Sequence, residues 1–499
     1  MKRNIYKIIG AVILFAVIQS SCKKDFEKTN TDPNTSPTVQ PKQLLAPALV
    51  NTLATNMLRS RTFNNELMQV TVNQSDSEGQ VFRYDIKNTW GDYTWNNWYL
   101  QLTNFKSIYT IASDPLTVDK GYQGISLICQ AWIYSMLTDT YGDVPYSQSN
   151  QGRNENFTPA FDKQKDIYQG IFKQLEDANT VLSTAVNVPG ASDPIFQGNV
   201  GLWRKFGNSL YLRLLMRISG KTEVAADCIA KIKDIVDNNA STYPIMASNT
   251  ESAVLKWTGS GYLTSPFIAG VRAQDWTAPS LCSFFIDNLT KWADPRLYQL
   301  SWSIATNNGG YVGVPSGYAP GNAPVKKSYF ISTSTTATVK TLMTEPLMGN
   351  IMNYAELQFL LAEAAAKGWI STPAKTYYDS GVINAITFWL PNYMVPVADY
   401  EKTADIEWDD SLPLDQKMEM IHVQKYYTIF WTDFEQWFEY RRTGHPILPK
   451  GAGLLNGGVM PARITYPVYV QSANPTNYKT AVASQGADLI NTQVWWQKP

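Results

Sequence analysis

The chain has 499 residues, of which 44% are hydrophobic and 17% charged, a balance that fits a large globular protein with a mostly uncharged polar surface. Its 42 Lys and Arg match 42 Asp and Glu, for a formal net charge of zero; with no basic stripe and no block of one sign, nucleic acid is not the expected partner. The 16 Trp and 28 Tyr are the anomaly, because aromatics with a polar handle suit half-wet binding faces.

The chain opens on "MKRNIYK", a positive stretch, followed by "IIGAVILFAVI" from Ile8 to Ile18. That apolar run is much shorter than the roughly 20 residues of a membrane span, so residues 1–21 are expected to be a signal peptide. It runs into "QSSC", which resembles a bacterial lipobox, with Gln19 where that motif usually carries leucine. Cys22 is therefore the expected lipid anchor, since each buried acyl methylene contributes about 0.8 kcal/mol. Residues 22–41 are polar and hold Pro33, Pro37 and Pro41, the composition of an extended tether. The remaining cysteines, Cys129, Cys228 and Cys282, form no CxxC pair and suggest neither a zinc site nor a redox couple.

From residue 42 onward, apolar residues at helical spacing predict helices over roughly 42–72, 92–111, 121–141, 163–184, 198–219, 224–238, 279–291, 350–369, 374–390 and 414–440. Many are neighbours across short turns, such as "NYAELQFLLAEAAAKG", ending on Gly368, and "AKTYYDSGVINAITFWL" after it. Such pairs predict antiparallel helix hairpins stacked side by side, although no strict 34-residue repeat is visible. Residues 242–348 break the pattern. They are rich in Gly, Pro and aromatics, and "NNGGYVGVPSGYAPGNAP" (Asn307 to Pro324) reads as one long loop, a feature that is usually functional or disordered.

Catalytic motifs are sparse. The two histidines, His422 and His445, rule out HExxH, and neither GxSxG nor a P-loop occurs. Asp405, Glu407, Asp409 and Asp410 precede the helix at 414–440, where the helix dipole favours carboxylates without any bound cation. A glycoside hydrolase needs two carboxylates at a set separation, and nothing singles out such a pair. The densest aromatic stretch, "NTWGDYTWNNWY" (Asn88 to Tyr99), divides at about 100° per residue. Trp95, Trp98, Tyr99, Leu102, Phe105 and Ile108 share one face and read as core. Trp90 and Tyr93 point the other way, as a ligand platform or as a cap on the helix start.

Several motifs in order carry a family resemblance: "TDPNTSPTVQPKQLLAPAL" after the lipobox, "DTYGDVPYSQS" (Asp139 to Ser149), "DPRL" (Asp294 to Leu297), "AEAAAKG" (Ala362 to Gly368), "EQWFEYRRTGHP" (Glu435 to Pro446), "RITYPVYVQSANPTNY" (Arg463 to Tyr478) and "VWW" (Val494 to Trp496). The chain resembles the SusD/RagB family of outer-membrane lipoproteins, over essentially its whole mature length. One departure is Val468, Tyr469 and Val470 where the family usually has an acidic residue. The resemblance implies a mainly α fold of tetratricopeptide-like hairpins with a loop-rich region on one side, within a single domain over 42–499. It implies a non-enzymatic role without cofactor or metal: a cell-surface lid on a SusC-like TonB-dependent transporter, capturing glycans or, in some members, peptides. The family motifs read as structural. Gly142 ends a helix, Pro145 stiffens a turn, and Arg441 and Arg442 satisfy last-turn carbonyls. The glycan site is then expected at Trp90 and Tyr93, joined by Trp257, Tyr262, Arg272, Asp275, Trp276, Tyr311 and Tyr318 from the loop-rich region.

Overall fold

The chain is described by a computed structural model over residues 39–298, 302–332 and 341–498. The expected signal peptide, Cys22 and most of the tether lie outside the described residues. The first half is a run of helices, each laid on its predecessor. α1 (Pro41–Thr62) is followed by a short α2 (Asn64–Leu67) and by β1 (Thr71–Val72). α3 (Trp90–Ala112) packs on α1, and α4 (Lys120–Tyr141) on α3. α5 (Gln164–Leu182), α6 (Val200–Ile218) and α7 (Thr222–Lys233) continue the series. Local chemistry sets the starts of α4 and α6: the side chains of Asp119 and Asn199 accept from the N–H groups of Tyr122 and Leu202, both at 3.1 Å.

The loop-rich stretch is held by short elements. β2 (Ala253–Leu255), α8 (Pro266–Gly270), α9 (Ala273–Thr277), β3 (Ser280–Leu281) and α10 (Ser283–Lys291) lead to β4 (Gly349–Met352). β1 pairs antiparallel with β3, and β2 with β4, so both sheets tie this stretch to distant chain, and α8 packs on α1. A second set of helices closes the fold: α11 (Tyr354–Ala366), α12 (Ala374–Trp389), α13 (Val397–Ala404), α14 (Leu414–Thr428) and α15 (Glu435–Thr443), then α16 (Val468–Ala473) and α17 (Pro475–Gln485). α11 and α12 form the expected hairpin, with Asn353 capping the start of α11 and Gly368 beyond its end at a φ of 72°. The fold is mostly helical and hairpin-built, as the sequence predicts.

Four expected helices are shorter than their periodicity; in the one over 279–291, Ser280 and Leu281 form β3 and α10 begins at Ser283. Residues 42–72 divide into α1, α2 and β1, and residues 350–352 belong to β4 rather than to α11. The run at 414–440 breaks at Ile429. Trp431 and Asp433 there take left-handed backbone, at φ 65° and 42°, which costs free energy for a side chain with a Cβ. Tertiary contacts offset that cost. Trp431 stacks on Trp276 at 5.8 Å with planes 8° apart. The Asp433 carboxyl accepts from Asn56 Nδ2 at 2.6 Å and Trp132 Nε1 at 2.8 Å, joining α1 and α4.

A buried ionic cluster lies where α4, α6, α11, α14 and α15 meet. Arg213 forks onto Glu356 with both bonds at 2.7 Å. Arg217 bridges Asp139, at 3.3 Å, and Glu435. Arg442 reaches Glu363 at 2.6 Å and Glu439 at 2.8 Å, and Lys425 reaches Glu439 at 2.6 Å. This corrects one expectation. Arg442 does not serve its own last-turn carbonyls, and Arg441 donates to the backbone carbonyls of Asp139 and Ala462 in other segments. Gly142 does end α4, at φ 85°, and a Cβ there would run into the Gln485 carboxamide. α16 begins directly at Val468, and Tyr469 donates to Asn96 Oδ1 at 2.6 Å.

Candidate ligand-binding site

The second half of the aromatic stretch is core, as its spacing predicts for most of it. Trp95, Trp98, Leu102, Phe105 and Ile108 are buried, and Tyr99 is partly buried with its hydroxyl on the Pro145 carbonyl. Trp90 and Tyr93 are half-buried and face away, into a cavity of about 510 Å³. Its wall is built from the last turn of α1 (Arg59, Arg61, Thr62), from Glu66 on α2, from Gly79 to Val81, and from Gly270 at the end of α8 and Val271 after it.

Arg59 defines the interior. Its guanidinium carbon lies 4.9 Å from the Trp90 ring centre and 4.6 Å from that of Tyr93, within cation–π range. Arg61 donates one hydrogen bond, from Nη1 to the Asp275 carbonyl at 3.1 Å, which ties α1 to the start of α9. The Nε atoms of both arginines are buried without a partner. Burial lowers the pKa of each from the ordinary arginine value. Glu66 is buried too, and burial pushes its carboxyl up to about 8, so it is protonated at neutral pH. The cavity therefore carries two positive charges and no compensating carboxylate on its wall.

The other expected site residues divide by burial. Trp257 donates from Nε1 to the Met57 sulfur at 3.1 Å and is 2% exposed. Trp276 sits between Phe267 and Trp431, and Tyr318 packs on Phe82 at 5.0 Å. These three rings are core and offer no face to a ligand. Their loops fold back onto the helices, so loop position does not give exposure. Tyr262 is exposed but not on the cavity wall, and Tyr311 is half-buried against Tyr298. Arg272 is exposed, Asp275 is half-buried, and the two fork onto each other at 2.6 and 2.8 Å. Their link to the cavity is Arg61. Sequence reasoning missed Arg59 and Arg61. "LRSRT" ends a helix, where arginines complement the dipole, and nothing in the string signals that their donors stay open.

A second cavity, of about 410 Å³, is lined by Glu363, His422, Arg442 and His445. Glu363, His422 and Glu439 place one potential metal ligand each within 4.8 Å of one another. The place of a metal is taken by cationic side chains. Burial opposes ionisation of Glu363 and Glu439, but Arg442, with Lys367 and Lys425, outweighs it and holds both carboxyls well below their usual range. Burial pushes His422 down to about 3, so it stays neutral.

Comparison with known proteins agrees with this architecture. Residues 33–467 match the family model SusD-like_2, described as starch-binding and associating with the outer membrane. The chain belongs to this SusD-like family. Among solved structures, a SusD homologue from Bacteroides fragilis is 27% identical, with a TM-score of 0.77, covering 92% of this chain and all of that one. A chitin-binding protein is 26% identical, with a TM-score of 0.75 and the same coverage. A chitin-binding SusD homologue from Flavobacterium johnsoniae, 22% identical with a TM-score of 0.76, shares the fold over 92% of this chain and 98% of its own. Comparison with curated proteins returns no match. Among the described residues no helix is long and apolar enough to cross a membrane.

Proposed function

We propose that this SusD-like protein is a cell-surface lipoprotein that binds glycans and serves as the lid of a SusC-like TonB-dependent transporter. The observation that carries the reading is the open cavity at the start of α3, with Trp90 and Tyr93 on its wall, in a chain whose family is described as starch-binding. Sugar rings present apolar C–H faces that lie on aromatic rings, while hydroxyls bond to polar side chains such as Arg272 and Asp275. A stacked ring contributes about 1 kcal/mol by analogy with aromatic pairs, so two or three give micromolar-to-millimolar affinity. That suits a protein that hands its ligand on. The cavity wall carries one carboxyl residue, Glu66, where glycoside hydrolysis uses two, so the role proposed is capture without chemistry.

Calorimetry of the soluble form against a panel of oligosaccharides and peptides tests this reading. Binding of an oligosaccharide that Trp90→Ala abolishes while the protein stays folded, with its melting temperature lowered by no more than about 2 °C, supports it; binding of peptides alone replaces it with peptide capture. Cys22→Ser is expected to release the protein from membranes. Affinity capture from mild detergent is expected to bring down an outer-membrane partner across an interface on the order of 2,000 Å²; recovery of the lipoprotein alone counts against the lid.

A further inference from the structure

The ligand class is written in the unpaired arginines. No carboxylate lies within 4.0 Å of the guanidinium of either Arg59 or Arg61 among the described residues, whereas Arg213, Arg217, Arg272, Arg296, Arg442 and Arg463 each have an acidic partner within that distance. The Arg59 side chain makes no hydrogen bond among the described residues, and the Arg61 side chain makes the single one to the Asp275 carbonyl. An arginine has five N–H donors in a planar fork. The Arg59 guanidinium carbon lies over the rings of Trp90 and Tyr93, and a π face takes none of its N–H donors as a hydrogen-bond acceptor of the usual kind would. Donors left free in this way can grip the paired oxygens of a carboxylate or a sulfate in two-point fashion. The helix-end dipole of α1 favours both cations but occupies none of these donors.

We propose that the cavity takes an acidic sugar, whose carboxylate or sulfate sits on Arg59 and Arg61 while its ring lies against Trp90 or Tyr93. The inference rests on the glycan-binding reading above and narrows it. A neutral sugar seated in the cavity would displace water from both guanidinium groups and offer no charge in return, which is costly in a partly enclosed space. The protonated Glu66 fits the same chemistry, since it adds no repelling charge at neutral pH.

The test is calorimetry of the soluble form, residues 23–499, with oligogalacturonate, which carries carboxylates, and a chondroitin sulfate oligosaccharide, which carries both acids. Neutral malto- and chito-oligosaccharides serve as controls. The expected result is binding of at least one acidic ligand, weakened by added salt, with neutral ligands bound about ten-fold or more weakly. Arg59→Gln and Arg61→Gln are each expected to lower acidic-sugar affinity about ten-fold at unchanged melting temperature; Arg59→Lys, which keeps the charge and loses the fork, is expected to lie between. A carboxylate and a sulfate are told apart by whether oligogalacturonate alone suffices. Equal or tighter binding of neutral sugars, insensitive to either substitution, overturns the acidic assignment and leaves the glycan reading standing. Failure of every sugar overturns both. These wild-type comparisons decide the matter even where a variant fails to fold.

Discussion

Two sets of arginines in this molecule are treated in opposite ways. Arg213, Arg217 and Arg442 lie deep between helices, and each forms ion pairs with at least two acidic side chains. Arg59 and Arg61 lie on a cavity wall and form none among the described residues. Burying a charge is unfavourable unless a partner replaces water. The first set meets that requirement internally and so acts as structure. The second meets it only in part, through aromatic faces, one carbonyl and residual solvent, which is why it is the set proposed to meet a ligand. The lesson is that the charge of a residue says little about its role; the state of its donors says a great deal.

The comparison can be broken most severely from the buried side. Arg217→Met leaves Asp139, Glu435 and Glu439 short of a cation, and breaking a buried pair by removing one partner costs about 3–5 kcal/mol. Chemical denaturation is expected to show a loss of that size or no folded protein. A change under about 1 kcal/mol would mean that the cluster is already open to water. The aromatics divide along the same line. Trp276→Ala removes a core ring stacked on Trp431 and is expected to cost about 3–5 kcal/mol, whereas Trp90→Ala, at a half-wet wall, costs on the order of 1 kcal/mol.

Glu66 sharpens the comparison through pH. Its folded pKa of about 8 lies above the ordinary carboxyl value, so the folded state holds its proton more tightly. Stability is full at acid pH and falls as pH rises through about 8. Glu66→Gln is expected to flatten this decline and to be the more stable protein at pH 9, by on the order of 1–3 kcal/mol. A wild-type stability that does not fall between pH 6 and 9 would show the carboxyl to be solvated. His445 gives the smallest effect. Its Nδ1 lies 2.6 Å from Glu419 Oε2, and this bond raises its pKa. The pair therefore stabilises most below the ordinary histidine pKa and less as pH rises beyond it. Glu419→Gln is expected to lower the melting point in mildly acidic buffer, by no more than about 1 kcal/mol equivalent, and to do little at alkaline pH.

Legibility in the sequence followed the range of the interactions. Helix pairs were readable because their causes are local: the periodic apolar face, the Asp119 and Asn353 caps, the Gly368 stop. The break at Ile429 was not, because Asp433 is held by Asn56, 377 residues away. The ionic cluster was hidden for the same reason, since Arg213 and Glu356 are 143 residues apart. Trp90 and Tyr93 could be assigned to the non-core face by phase alone. Trp257, Trp276 and Tyr318 could not be assigned, because an aromatic in an aperiodic segment has no phase to read. Arg59 and Arg61 are the clearest limit: an unmet hydrogen bond is a property of surroundings, and no local string encodes it.

The long glycine-rich loop is less free than its composition suggests. Gly317 stands at φ 66° and its carbonyl accepts from Gly453 at 2.8 Å. Any side chain on Gly451 would strike the Gly317 carbonyl, and one on Gly453 the Tyr318 carbonyl. The two backbones thus lie in mutual contact, with only hydrogen atoms between them at these points. For anyone shuffling loops between relatives to retarget recognition, residues 307–324 and 449–459 form one cassette. Transplanting the first without the second would import a partner whose seat is missing, and a chimera carrying both would keep the join intact.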